Sequence, residues 1–417
     1  MDRLDTAARP ARRPWPLRAT SPKAAPAPPR PDHPLAWLDR AAERRASAGL
    51  TRRTVPRSPS DGPLDLAGND YLGLSRHPAV VAASADAVRV WGAGAGGSRL
   101  VAGDTELHGE LERELADFHG SEAALVFSSG YAANLAMVAS LAAPIPEDVE
   151  PPLVVCDRHN HASLIDATRL ARVAGARVAV FRHRDADHAA ELLGEGRGRR
   201  LLLSDTVFSV DGDLSDPSAL ARVARRHGSA LLLDDAHGLG VLGAGGRGAV
   251  GGTALGSADD VVVSVTLSKS LGAQGGAVLG SRRVIRHLVE TARTFVFDTG
   301  LAPASTGAAL AALRVLRAEP GRAEDVRARA RALAEGLRAR GLEASSPDAA
   351  VVSVPARSPQ EALAWRDACL ADGVRVGCFR PPSVPDSRSR LRLSARSTLH
   401  DADVRRVLDV IAVNRPG

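Results

Sequence analysis

The chain has 417 residues, 44% of them apolar, enough to bury a core in two or so domains. Its net charge of +6 comes with acids and arginines interleaved throughout, and aromatics are only 3%, which excludes the basic stripe and stacking platforms of a nucleic-acid binder while suiting an anionic substrate. Cys156, Cys369 and Cys378 are too few and too scattered for a disulfide framework or a zinc site, which points to a reducing cytoplasm, and no apolar run reaches the roughly 18 residues of a membrane span.

Residues 1–34 are rich in arginine and could pass for a transit peptide, but prolines recur from Pro10 to Pro34 and break any amphipathic helix, so a disordered leader is expected. Apolar spacing predicts a helix over 35–49, closed by Gly49, with Arg52 and Arg53 in the loop beyond it. A short strand over 64–67, a turn over 69–74 and a helix opened by Pro78 and ending near Trp91 follow. Gly92-Ala93-Gly94-Ala95-Gly96-Gly97 matches the spacing of a dinucleotide-binding fingerprint. That fingerprint needs a strand before it and a helix after it; here a helix precedes, so the segment reads as a flexible loop and an NAD enzyme is disfavoured.

A helix over 107–119 and a strand over 123–127 lead to Ser128-Ser129-Gly130-Tyr131-Ala132-Ala133-Asn134 at the start of the next helix. Small residues there leave backbone N–H groups and the positive helix end open to an anion such as phosphate; an ordinary serine cap fits equally well. Strands over 153–156, 177–181, 201–204 and 231–233 then alternate with helices over 186–193 and 217–227. A last apolar run ends at Thr266-Leu267-Ser268-Lys269. Near-continuous apolar strands at this spacing predict a mainly parallel sheet covered by helices on both faces. Polar residues repeatedly follow the strand ends, where open α/β sheets hold ligands. Beyond Leu301 helices run to about Arg340, and strands over 351–354, 374–379 and 390–395 with helices over 359–371 and 401–413 make a smaller α+β domain. The expected domains are therefore 35–90 with 303–417 for the smaller one and 91–302 for the larger.

Lys269 stands out because the chain writes nearly every cation as arginine; its other lysine is Lys23, in the leader. A lysine amine can shift its pKa and condense with an aldehyde, which arginine cannot do; the plain alternative is a surface lysine after a strand. Asp234 or Asp235 at the end of one strand, His237 just after, and Lys269 beyond the next strand suit pyridoxal phosphate. A buried aspartate keeps the cofactor's ring nitrogen protonated, and the cationic ring is an electron sink. Side chains alternate at a strand end, so only one of the two aspartates can face that ring.

Taken with Asn69-Asp70-Tyr71-Leu72-Gly73-Leu74-Ser75, Gly96-Gly97-Ser98-Arg99-Leu100, His161-Ala162-Ser163-Leu164, Val207-Phe208-Ser209 and Arg380-Pro381-Pro382-Ser383-Val384-Pro385, these motifs make the chain similar to the α-oxoamine synthase family. These are fold-type I pyridoxal phosphate enzymes, and the resemblance runs from about 35 to 413. It implies that Lys269 binds the cofactor aldehyde, that Asp234 rather than Asp235 partners the ring nitrogen, and that His161 stacks on the ring. Ser209 and His237 then lie near the ring hydroxyl. Gly130 and Tyr131 make backbone contacts, Thr266 and Ser268 sit near the phosphate, and Thr299 reaches the phosphate from a neighbouring subunit of a homodimer. Arg392 receives the amino-acid carboxylate, while Ser383 and Arg52, or Thr51 after a one-residue shift, touch substrate.

The Arg-Pro-Pro stretch points within the family to condensation of L-alanine with a pimeloyl thioester, carried on CoA or on an acyl-carrier protein. The alternatives are a relative that uses glycine or serine and a non-catalytic binding protein on the same fold; the intact Lys269 and Asp234 argue against the latter.

Overall fold

The structure, a computed structural model, describes residues 33–58, 62–384 and 386–417. The expected leader, apart from residues 33 and 34, lies outside the described residues, as do Lys23 and Pro385. The chain divides after Arg53 into two compact units. Within the first, the predicted helix is Trp37–Ser47, with Arg44 and Arg45 in its last turn, where they face the negative end of the helix dipole.

The second unit is built on two sheets. Its strands in chain order are β1 (Leu64–Leu66), β2 (Ala123–Phe127), β3 (Leu153–Asp157), β4 (Arg177–Phe181), β5 (Arg200–Asp205), β6 (Ser229–Asp234), β7 (Val261–Thr266), β8 (Gly276–Gly280), β9 (Val351–Pro355), β10 (Val374–Phe379) and β11 (Arg390–Ser394). The large sheet has the order β2-β8-β7-β6-β5-β3-β4. The pairs from β7 across to β4 are parallel, and β8 runs antiparallel to both of its neighbours. The small sheet has the order β1-β10-β11-β9.

The parallel strands are apolar on both faces because helices cover both. Along β5, β6 and β7 the side chains alternate between two cores. Leu201, Leu203, Leu232 and Val262 pack with Met137 and Leu164 of the helices Gly130–Leu141 and Ala162–Val173. Leu202, Leu231, Leu233, Val261 and Val263 face the opposite way, into a core that also contains Leu391 and Leu393 of the small sheet. Each such leucine, fully buried, stabilises the fold by roughly 1.5–3 kcal/mol.

β8 is absent from the predicted elements because its ends are glycines. One of them is there for packing: a Cβ on Gly276 would lie 2.5 Å from both Cα and N of Gly130, so the first turn of Gly130–Leu141 rests directly on the strand. Among the described residues no helix is long and apolar enough to cross a membrane.

Candidate active site

The carboxyl ends of β2, β3, β5, β6 and β7 converge, and the small sheet closes over them through β11. Lys269 follows β7 in a turn pinned on both sides. Ser270 Oγ donates to the Leu239 carbonyl over 2.6 Å, and Gly272 N–H donates to the Lys269 carbonyl over 2.9 Å. Gly272 adopts φ 61°, and a Cβ there would come within 2.3 Å of Ser75 N, so the turn needs a glycine. Lys269 is partly exposed as a residue, yet protein surrounds its amine closely enough that burial pulls its pKa down to about 8; the nearby charge of Asp234 opposes that shift and Arg392 adds to it.

The two neighbouring aspartates go to different places. Asp234 is buried, accepts from Asn134 Nδ2 over 2.6 Å and from the Ala236 N–H over 2.9 Å, and has lone pairs left for a ligand. Asp235 accepts from the Thr206 hydroxyl and, over 3.0 Å, from the Ala249 N–H. A Cβ on Gly238 or Gly248 would meet its carboxylate at 2.0 or 2.1 Å, so Asp235 organises the loop after β6. Burial pushes its pKa up to about 7.

His161 caps the helix Ala162–Val173, and its backbone N–H donates to Asp205 Oδ2 over 2.7 Å. Burial, and next the charge of Asp234, hold Asp205 well above the usual carboxylate range. The His161 residue is exposed, but enough protein lies around the imidazole that desolvation lowers its pKa. His237 is buried and held well below its ordinary pKa, first by burial and then by Lys269 and Arg392, so its ring is neutral. Its Nδ1 lies 2.6 Å from the Tyr71 hydroxyl.

Tyr71 links His237 to Arg392, whose Nη2 lies 3.4 Å from the same phenol oxygen. Arg392 is 2% exposed. Its Nε donates to the Ser209 carbonyl over 2.6 Å, and its Nη1 donates to Asn69 Oδ1 and Ser394 Oγ, each over 3.0 Å. The residues in contact with it are neutral, so this buried guanidinium keeps an uncompensated charge among the described residues.

At the other end of the cluster, Gly130 and Tyr131 open a 12-residue helix capped by Ser129, whose Oγ accepts from the Ala132 N–H. As the first N–H groups of the helix, theirs have no intrahelical acceptor. Thr266 Oγ1 and Ser268 Oγ lie 2.8 Å apart, and a Cβ on Gly130 would touch Thr266 Cβ at 3.1 Å. Thr299 is exposed; the preceding Asp298 accepts from Ser128, just after β2. Ser383 is exposed on the loop after β10, and Arg52 belongs to the N-terminal unit.

Lys269, Asp234, His161, His237, Ser209, Arg392, Thr266, Ser268 and the Gly130–Tyr131 turn are thus brought together. Sequence reasoning assigned no role to Tyr71, Asn134, Asn69 or Asp205. One signal was available for Asn134, the single amide in a helix of mostly small and apolar side chains, where an asparagine is costly unless it bonds.

The residues fit pyridoxal phosphate. A buried carboxylate with free lone pairs suits a protonated ring nitrogen, and a depressed amine suits an aldehyde. A helix N-terminus beside two hydroxyls suits a phosphate.

The family profile for aminotransferase class I and II matches residues 61–411. The 8-amino-7-oxononanoate synthase of Mycolicibacterium paratuberculosis is 54% identical over 384 residues, 91% of this chain and 97% of that protein. Among solved structures, serine palmitoyltransferase from S. paucimobilis with bound PLP and myriocin superposes with a TM-score of 0.82 at 28% identity, covering 91% of this chain and 97% of that one. The 8-amino-7-oxononanoate synthase of Francisella tularensis gives 0.70 at 26% identity, covering 85% and 98%.

Proposed function

The chain belongs to the aminotransferase class I and II family and, within it, to the 8-amino-7-oxononanoate synthases, and from that membership we propose that the cluster around Lys269 condenses L-alanine with a pimeloyl thioester. The cofactor is pyridoxal phosphate, which when bound supplies an aldehyde for an amine and a cationic ring that withdraws electrons from the substrate Cα. The products are 8-amino-7-oxononanoate, carbon dioxide and the free thiol: a bond forms between alanine Cα and the thioester carbonyl carbon, and the C–S bond and the bond from Cα to the carboxylate break.

The chain's own residues divide this work. Asp234, steadied by Asn134 and the Ala236 N–H, would keep a proton on the ring nitrogen. On the resemblance, His161 would cover the ring and Ser209 and His237 would lie at its hydroxyl. The N–H groups of Gly130 and Tyr131 and the hydroxyls of Thr266 and Ser268 would hold the phosphate. Arg392 binds the alanine carboxylate, which supplies the negative charge its buried guanidinium lacks. Lys269 Nζ, with its pKa near 8, takes the Cα proton and later returns one. Ser383 and Arg52, or Thr51 after a one-residue shift, are assigned to substrate on the resemblance.

A homodimer with shared sites belongs to the same proposal, with Thr299 of a second copy at the phosphate. The exposed Phe297, Leu100 and Val101, at 70%, 52% and 84%, support an apolar contact beside that loop. The three cysteines are free, which supports a reducing, cytoplasmic setting.

The observation that carries the reading is the meeting of a depressed lysine amine, a buried carboxylate and an uncompensated buried arginine in one cluster. Likeness in shape to serine palmitoyltransferase does not favour serine as substrate, because its 28% identity is far below the 54% shared with the M. paratuberculosis enzyme. The test offers alanine, glycine and serine, each with pimeloyl-CoA, pimeloyl-carrier protein and long-chain acyl-CoA, and identifies products by mass spectrometry. Product from alanine and a pimeloyl donor is expected; product from glycine or serine alone refutes the proposal.

A further inference from the structure

A chain of hydrogen bonds runs from Asp234 through Asn134 and Ser163 to His161. An ionised carboxylate only accepts, so the 2.6 Å contact of Asp234 Oδ2 is made by the Asn134 amide N–H. That orientation agrees with the other end of the amide, where Oδ1 accepts from Ser264 Oγ over 2.5 Å. The second amide hydrogen goes to Ser163 Oγ over 2.8 Å. The Ser163 backbone N–H can only donate, so its 3.3 Å contact makes His161 Nδ1 an acceptor, and the Ser163 hydroxyl, 2.7 Å from the same nitrogen, turns its own proton to it. With Nδ1 occupied as an acceptor, a neutral imidazole carries its proton on Nε2.

We propose that Asn134 is a positioning residue that aims the Asp234 carboxylate at the cofactor ring nitrogen and, through Ser163, fixes the His161 proton on Nε2. Its role toward the cofactor rests on the proposed function; its role toward His161 does not. Asn134→Asp keeps the shape and reverses the polarity. Two facing carboxylates then share a proton, and the Ser163 hydroxyl swings to the new oxygen, so His161 Nδ1 loses its hydroxyl donor, the shorter of its two contacts.

The test reads the His161 tautomer by ¹⁵N NMR on the full-length protein with and without added pyridoxal phosphate, and the dissociation constant of pyridoxal phosphate by equilibrium dialysis. Wild type is expected to hold the proton on Nε2. Asn134→Asp is expected to populate the Nδ1-protonated form and to weaken the cofactor roughly tenfold or more, the loss typical of a hydrogen bond to a charged group. Ser163→Ala leaves Asn134 on Asp234 and should weaken the cofactor several-fold less. A wild-type proton on Nδ1 overturns the inference, as does an Asn134→Asp protein unchanged in both readouts or a Ser163→Ala protein weakened as much as Asn134→Asp. Should the tautomer respond as stated while the wild-type chain fails to hold pyridoxal phosphate, the functional reading and the role of Asn134 toward the cofactor fall and the bond chain to His161 stands.

Discussion

Arg392 Nε donates to the carbonyl of Ser209 over 2.6 Å, tying the third residue of β11 to the loop that follows β5. The same guanidinium therefore braces the loop proposed to face the cofactor hydroxyl and keeps the unpaired charge on which its proposed role toward the alanine carboxylate rests. Arg392→Ala should raise the KM for alanine at least roughly tenfold, the loss expected when one side of a buried charge pair is removed. Arg392→Lys should recover little, because a point charge cannot bind Ser209, Asn69 and a carboxylate as a planar fork does. Steady-state kinetics with each substrate varied in turn check this; equal increases in KM for alanine and thioester would count against the assignment.

Lys269→Ala should fold, because the turn is held by backbone bonds and by Ser270 rather than by the amine. It should bind pyridoxal phosphate without attaching to it. Borohydride reduction followed by peptide mapping by mass spectrometry reads the attachment: wild type is expected to carry the cofactor mass on the peptide holding residue 269 and the variant to carry none. Normal turnover by the variant would refute the role of the lysine.

Much of this arrangement is legible in the chain, for identifiable reasons. Parallel strands buried on both faces are written as unbroken apolar runs, so β3, β5 and β6 begin and end within two residues of where the pattern does. Motifs at strand ends mark the site because the fold delivers those ends to one place. β8 and the helices Ala162–Val173 and Arg282–Thr291 are not among the predicted elements; β8 is a short glycine-bounded run that only its neighbours make a strand. The alternation rule showed that Asp234 and Asp235 diverge but not which way, since that depends on Asn134 and Thr206 reaching in from other elements. The same holds for Tyr71 and His237, 166 residues apart in sequence and joined by one hydrogen bond. Such bonds leave no periodicity to read.

The depressed pKa of Lys269 predicts the pH dependence of cofactor capture. Attachment needs the neutral amine, so its rate should climb as pH rises through about 8 and level off above. Because the charge of Asp234 pushes that pKa up, Asp234→Asn should move the midpoint to lower pH. The same shift makes the folded chain less stable below about 8, a cost that fades as pH rises toward 10.5. Stopped-flow absorbance with the full-length apoprotein from roughly pH 6.5 to 10 measures the midpoint; one near 10.5 would mean a solvated amine and no site.

His183 joins the end of β3 to the loop after β5, meeting Phe208 next to Ser209. Its Nδ1 lies 3.0 Å from Asp157 Oδ1 and its Nε2 2.9 Å from Asp213 Oδ2, while its ring stacks on His159 at 3.9 Å and meets Phe208 edge-on at 4.3 Å. Burial opposes its charge, but the two carboxylates outweigh burial and raise its pKa to about 9. A histidine raised in the fold contributes stability that is complete below about 6.5 and is lost as pH climbs through about 9. The shift corresponds to about 3 kcal/mol. His183→Gln should therefore lower the stability by roughly 2–4 kcal/mol near pH 6, where it leaves the buried Asp157 without its cation, and by much less near pH 10. Urea unfolding of both proteins at the two pH values separates this from a plain packing loss, which would cost the same at each. An unchanged difference between pH 6 and pH 10 would show that His183 is neutral and the clamp uncharged.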